Sequence, residues 1–244
     1  MGHAPRRTAA NSAPPAVRHA IREEFALKTV RIWFKKQGAA RYISHLDLSR
    51  CVSRAFHKAK IPLWYTQGFN PHAFLTFALP LSLGIRGERE SMDIKLENDI
   101  PREKLIEDLN GALPDGIVVF DVTEPVMKPG QIAFASFEIC LEPEDVAAGE
   151  LAETIRALFS TPEIMVQKRS KSGTRTINLK PYLGRVQVRE GNGKVGISAV
   201  LPAGSMENIN PGLLLNAIET YLSCRFYSKI VRTNLFDAEM QEFR

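Results

Sequence analysis

The same succession of element types is spelled out twice in this chain, and that repetition constrains the fold more than any single motif. Residues 29–35 (TVRIWFK) alternate and are β-branched, the pattern of a strand with one buried face. Residues 45–60 set Leu48, Cys51, Val52, Ala55, Phe56 and Ala59 at helical spacing. Ser44 stands where an N-cap belongs, with Asp47 three positions on. Pro62 stops that helix; 63–66 read as a short strand, 67–71 (QGFNP) as a turn, and 74–79 as extended. Residues 91–97 (SMDIKLE) alternate, 102–110 form a helix between Pro101 and Gly111, and 117–122 form a further strand. Allowing for one extra extended piece, the order is β-α-β-β-α-β, which is the ferredoxin-like order.

Residues 124–130 (EPVMKPG) hold two prolines and a glycine and read as a linker, after which the pattern restarts. A strand at 133–141 is followed by a helix at 146–159. Two hairpins come next, 163–168 with 174–179 and 184–189 with 195–199, then a helix at 212–223 and an extended piece at 225–233. The expectation is an α+β fold of two tandem ferredoxin-like (βαββαβ-type) units, 28–123 and 132–240, joined by 124–131 and preceded by a disordered tail at 1–27.

Of the 244 residues, 44% are apolar and 24% charged, which excludes wholesale disorder. Cys51, Cys140 and Cys224 lie far apart with no CxxC or Cys/His cluster, so a zinc ribbon or an iron–sulfur cluster held by this chain is not expected. They read as buried small hydrophobes in a reducing compartment. No apolar run reaches the ~18 residues of a membrane span, and the N-terminus lacks the apolar centre of a secretory signal. A cytoplasmic location without membrane partners is expected.

The net charge of +5 is mild but unevenly placed. Between 168 and 194 stand Lys168, Arg169, Lys171, Arg175, Lys180, Arg185, Arg189 and Lys194 against Glu190 alone, more positive charge than the whole chain nets. Much of it falls on the first predicted hairpin, and a protruding basic hairpin suits a nucleic-acid backbone. Arg50, Arg54 and Lys58 recur at i, i+4, i+8 on the first helix, a second stripe suited to phosphates. Between them in the chain, Trp64, Tyr65, Phe69, Phe74 and Phe77 are interleaved with Gln67, Asn70 and His72. Exposed rings there could stack on unpaired bases while the amides read base edges, and Gly68 could let backbone amides approach a ligand. His45, at a helix start, would be held neutral and is a weak candidate for a general base. No Ser/His/Asp order, paired-carboxylate motif, Walker loop or Rossmann fingerprint is present.

The run from Arg41 to Leu96 resembles the opening of the radical-SAM-linked protein family, a bacterial domain of unknown function. The resemblance is carried by Ser44-His45-Leu46-Asp47-Leu48, Gln67-Gly68-Phe69-Asn70-Pro71, Phe77-Ala78-Leu79-Pro80-Leu81 and Met92-Asp93-Ile94. Looser matches follow at Lys180-Pro181-Tyr182-Leu183 and Arg232-Thr233-Asn234-Leu235, with Asn178 and Leu179 standing where an acidic residue is expected. The resemblance implies a radical SAM protein as partner, fused or separately encoded. That enzyme would carry the iron–sulfur cluster and S-adenosylmethionine, and this chain would bind no cofactor. Three readings follow. In the first, the chain binds an RNA (tRNA or rRNA) and presents it for modification: Arg50, Arg54, Lys168, Arg169, Lys171 and Arg175 hold phosphates, and Gln67, Gly68, Phe69, Asn70 and His72 meet a base or the partner. In the second, it is an adaptor that docks the enzyme without nucleic acid. In the third, by fold-level analogy, it is a metal-independent RAMP-type ribonuclease with His45 as base.

Overall fold

The computed structural model describes residues 27–170 and 173–244. The tail expected at 1–27 and the candidate Lys171 fall outside the described residues, apart from Leu27 at the tail's end. The chain forms a mixed α+β structure around one large, mostly antiparallel sheet. In its first half, β1 (Lys28–Lys36) is followed by α1 (His45–Lys58), β2 (Leu75–Phe77), β3 (Arg86–Leu96), α2 (Arg102–Asn110) and β4 (Ile117–Thr123). In the second, β5 (Phe134–Pro143) is followed by α3 (Ala148–Ser160), β6 (Met165–Ser170) and β7 (Gly173–Asn178). After these come β8 (Val186–Gly191), β9 (Lys194–Pro202), α4 (Gly212–Leu222) and β10 (Phe226–Phe236).

The sheet runs β4-β1-β3-β10-β5-β9-β8, with β2 on the edge of β3, while β6 and β7 form a separate two-stranded ribbon. The two halves meet where β10 runs parallel to β3 through only two registered pairs, Val231↔Arg86 and Arg232↔Gly87. So short a ladder leaves side chains to hold the junction.

Alternation explains the layers. In β1, Val30, Ile32 and Phe34 face one way and pack with Leu48, Val52 and Phe56 of α1 and Leu105 and Leu109 of α2. In the second half Phe137, Ile139 and Leu141 of β5 and Val195, Ile197 and Leu201 of β9 pack beneath α3 and α4. The other face of β1 carries Arg31 and Trp33, and it too is covered. Arg31 is wholly buried, holds Asp93 at 2.7 and 2.8 Å, donates to the Met127 carbonyl, and lies 4.2 Å from the ring centre of Phe243. The backbone at Val126 and Met127 donates to the Arg244 carbonyl, so the segment expected as a linker is strapped to the C-terminal residues. The cysteines are free thiols but half-buried, not buried as expected. Cys140 is half-exposed because it shares with Glu138 and Glu142 the face of β5 turned away from the core, alternating with buried Ile139 and Leu141.

Candidate nucleic-acid interface

The α1 start is built as its sequence dictates. Ser44 is extended and its hydroxyl accepts the Asp47 N–H at 3.1 Å while donating to the Asp47 carboxylate at 2.7 Å. The helix ends at Ala59, where Lys60 turns left-handed (φ 54°) two residues before Pro62. His45 is exposed and its ring meets Phe77 edge-on at 5.1 Å. Partial burial, then the nearby Lys36 charge, lower its pKa, which agrees with a neutral imidazole. Among the described residues, however, no side-chain hydrogen bond orients it.

Behind His45 lies a charged cluster that sequence reasoning missed. Arg232 of β10 crosses to β3, where Nε donates to Glu90 at 2.9 Å and Nη2 bonds the same carboxylate; the guanidinium also reaches the carbonyls of Leu79 (2.8 Å) and Pro80 (3.2 Å). Both side chains are only 5% exposed. Lys36 is buried beside them with Nζ on the Ile43 carbonyl at 2.7 Å. Burial lowers its pKa, Glu90 offsets this in part, and Arg232 adds to the lowering. Pieces from three separate motifs thus converge here: His45 with Phe77, the Leu79-Pro80 carbonyls, and Arg232.

The QGFNP segment forms the tip of a short tongue. Tyr65 bridges Ala73, Phe74 N–H donates to Trp64, and Thr66 and His72 bond through both backbone and side chains. Trp64 and Phe74 are half-buried with Lys95 Nζ 4.9 and 4.7 Å from their ring centres, and Phe77 packs on Phe34. Gln67, Gly68, Phe69, Asn70, Pro71 and His72 are all exposed, and Phe69 is fully so. Gly68 has φ 137° with nothing within 4 Å of where a Cβ would sit. Backbone conformation, not close approach, therefore requires glycine there.

The β6–β7 ribbon is the expected hairpin. It is seated by Val166 and by Tyr221 Oη accepting the Met165 N–H at 3.2 Å; just after it, the Tyr182 hydroxyl donates to Glu207. That bond to a carboxylate raises the Tyr182 pKa. Lys168 and Arg175 are register partners, and Lys168 Nζ turns aside to the Asn208 carbonyl. The basic run 168–194 does not form one surface. Lys180 caps α3 on the Phe159 carbonyl, Arg185 lies over Phe134, Arg189 bonds Gln187, and Lys194 shares Glu142 with Lys229. Arg169 and Arg175 remain, exposed and with no carboxylate partner among the described residues. On α1, Arg50 pairs with Asp47 at 3.5 Å, while Arg54 is exposed and unpaired among the described residues. No hydrogen bond or ion pair among the described residues joins the tongue to the ribbon.

Among the described residues no group of three His, Cys, Asp or Glu is placed to hold a metal ion, and no helix is long and apolar enough to cross a membrane. No curated protein matches the chain. A solved structure described as an unknown protein from Galdieria sulphuraria aligns over 84% of this chain and 99% of its own, at 9% identity and a TM-score of 0.27. Residues 29–211 match the family described as "Uncharacterized protein conserved in bacteria (DUF2344)". With that match spanning most of its length, the chain belongs to this bacterial family of uncharacterized proteins.

Proposed function

We propose that this protein binds RNA through the β6–β7 ribbon and presents it to a radical SAM enzyme, without being a catalyst itself. The observation that carries the reading is the ribbon. It stands outside the main sheet and keeps Arg169 and Arg175 exposed with no carboxylate partner among the described residues, which leaves both guanidiniums available to phosphates. On α1, Arg54 adds a further exposed cation with no carboxylate partner among the described residues. The radical SAM link is supported by the motif resemblance alone. The iron–sulfur cluster and S-adenosylmethionine would belong to that enzyme, and a cytoplasmic location would follow from such a substrate. We further infer that each half is a ferredoxin-like unit. Supporting this, β4-β1-β3-β2 and β10-β5-β9-β8 repeat one pairing order, with the ribbon inserted in the second.

The test is fluorescence anisotropy with a labelled RNA hairpin between 50 and 200 mM salt. Binding is expected to weaken steeply, and the double charge reversal R169E/R175E to reduce the log–log slope by about one for each phosphate no longer neutralised. A flat salt dependence removes the reading. The fully exposed Phe69 favours the adaptor as a second reading, since aromatic anchors are over-represented at interface centres. Capture of the radical SAM enzyme after nuclease treatment, abolished in Phe69→Ala, would point there.

A further inference from the structure

A series of hydrogen bonds links the ribbon to the first half. Lys168 Nζ reaches the Asn208 carbonyl, Asn210 Nδ2 donates to Ser82 Oγ at 3.0 Å, and Gly84 N–H donates to the Arg41 carbonyl at 2.9 Å. Asn208, Asn210 and Ser82 are exposed, while Gly84 and Arg41 are half-buried and Ile209, between the two asparagines, is buried. Glu207, next to Asn208 in the chain, already takes the Tyr182 hydroxyl.

At the far end stands Tyr42, the last residue of the 3₁₀ turn Gly38–Tyr42. Its side chain is large and apolar, yet the residue is 61% exposed. It is also held in place. The Arg41 guanidinium lies 4.6 Å from the ring centre and donates to the phenol oxygen at 2.6 Å. A tyrosine tethered by its own neighbour loses little freedom on stacking, and the guanidinium supplies a cation beside the ring. This ring is fixed outward by its neighbour, at the end of a series of bonds that begins at Lys168, the register partner of Arg175.

We propose that Tyr42, backed by Arg41, is a stacking platform for an unpaired base, so that the ligand of the ribbon is an RNA with a single-stranded segment. This rests on the RNA reading above. The phosphates on Arg169 and Arg175 fix the strand, and Tyr42 distinguishes an unpaired base from a stacked duplex.

The test compares a labelled twelve-nucleotide oligouridine with a blunt RNA duplex of the same length, on the full chain. Tyr42→Ala is expected to weaken oligouridine binding about tenfold, to leave duplex binding unchanged, and to keep the salt slope. Tyr42→Phe, which retains the ring, is expected to restore most of the affinity. R169E/R175E is expected to weaken both ligands and reduce the slope. If that variant weakens binding but Tyr42→Ala does not, the platform is overturned and the RNA reading stands. If Tyr42→Ala weakens duplex and single strand alike, the discrimination is overturned. If the unaltered chain binds neither RNA, the RNA reading itself falls.

Discussion

Replacing Glu90 with Gln tests whether side chains hold the two halves together. The substitution keeps the volume and removes the charge. Arg232 would then be left with two carbonyls and no counter-charge in a pocket where its side chain is 5% exposed, beside a buried Lys36 whose ammonium also loses Glu90. Breaking one partner of a buried pair costs about 3–5 kcal/mol. For a chain of this length that corresponds to a melting temperature lower by about 6–20 °C. The companion variant E90L/R232M removes both charges. It gives back most of the loss, to within about 1–2 kcal/mol of the unaltered protein, because neither charge of the pair is left buried without its partner and only the Leu79 and Pro80 carbonyls lose a donor. The assay is urea unfolding followed in parallel by circular dichroism and tryptophan fluorescence. Both tryptophans, Trp33 and Trp64, lie in the first half. Trp33 also packs on Phe243 across the junction, so in Glu90→Gln fluorescence is expected to report uncoupling of the halves before circular dichroism reports their unfolding. An unchanged midpoint in Glu90→Gln, or a double variant as unstable as the single one, would refute the reasoning.

Two further outcomes follow. His45 has a folded-state pKa below its unfolded value, so the unfolded chain takes up the proton first; stability is expected to fall as pH drops below about 6.5 and to level off once the folded protein is also protonated. His45→Gln should flatten that part of the pH profile measured by thermal melts, and an identical slope in the variant argues against it. Gly116 holds φ 86°, accepts the Gln37 N–H at 2.7 Å, and has the Gln37 carbonyl oxygen where a Cβ would stand. Gly116→Ala should lower stability by about 2 kcal/mol or more in the same urea assay, through both strain and the clash; an effect below about 0.5 kcal/mol would contradict that account.

How much of this was legible in the sequence depended on where each residue found its partner. The α1 start was readable because Ser44 and Asp47 act within one turn, and α2 because Pro101 and Gly111 bracket it. The first five residues of β3 (RGERE) were not: they contain no apolar residue, and Glu90 is buried by Arg232, which lies far along the chain. Counting charges marked 168–194 as basic but could not show that Lys194 is neutralised by Glu142 of β5 or that Lys180 caps α3. Among the aromatics of the tongue, composition could not separate Phe69 from Trp64, Phe74 and Phe77, because packing on Lys95 and Phe34 is a tertiary matter. Tyr42 escaped notice because it sits in a single turn of 3₁₀ helix between a strand and an N-cap, where no periodicity operates.

The cover over Arg31 and Trp33 sets a schedule for synthesis. These residues of the first strand find their shelter in Met127 and Phe243. At about 5–20 residues per second, the ribosome reaches Phe243 roughly 10–40 s after Trp33. During that interval the back of β1 is open, an apolar ring beside a charged pair facing water. The nascent chain therefore has a defined window in which a holdase chaperone can compete for the first half. A stop introduced before residue 243 prolongs that window indefinitely, so loss of a very short C-terminal piece strikes the strand made first.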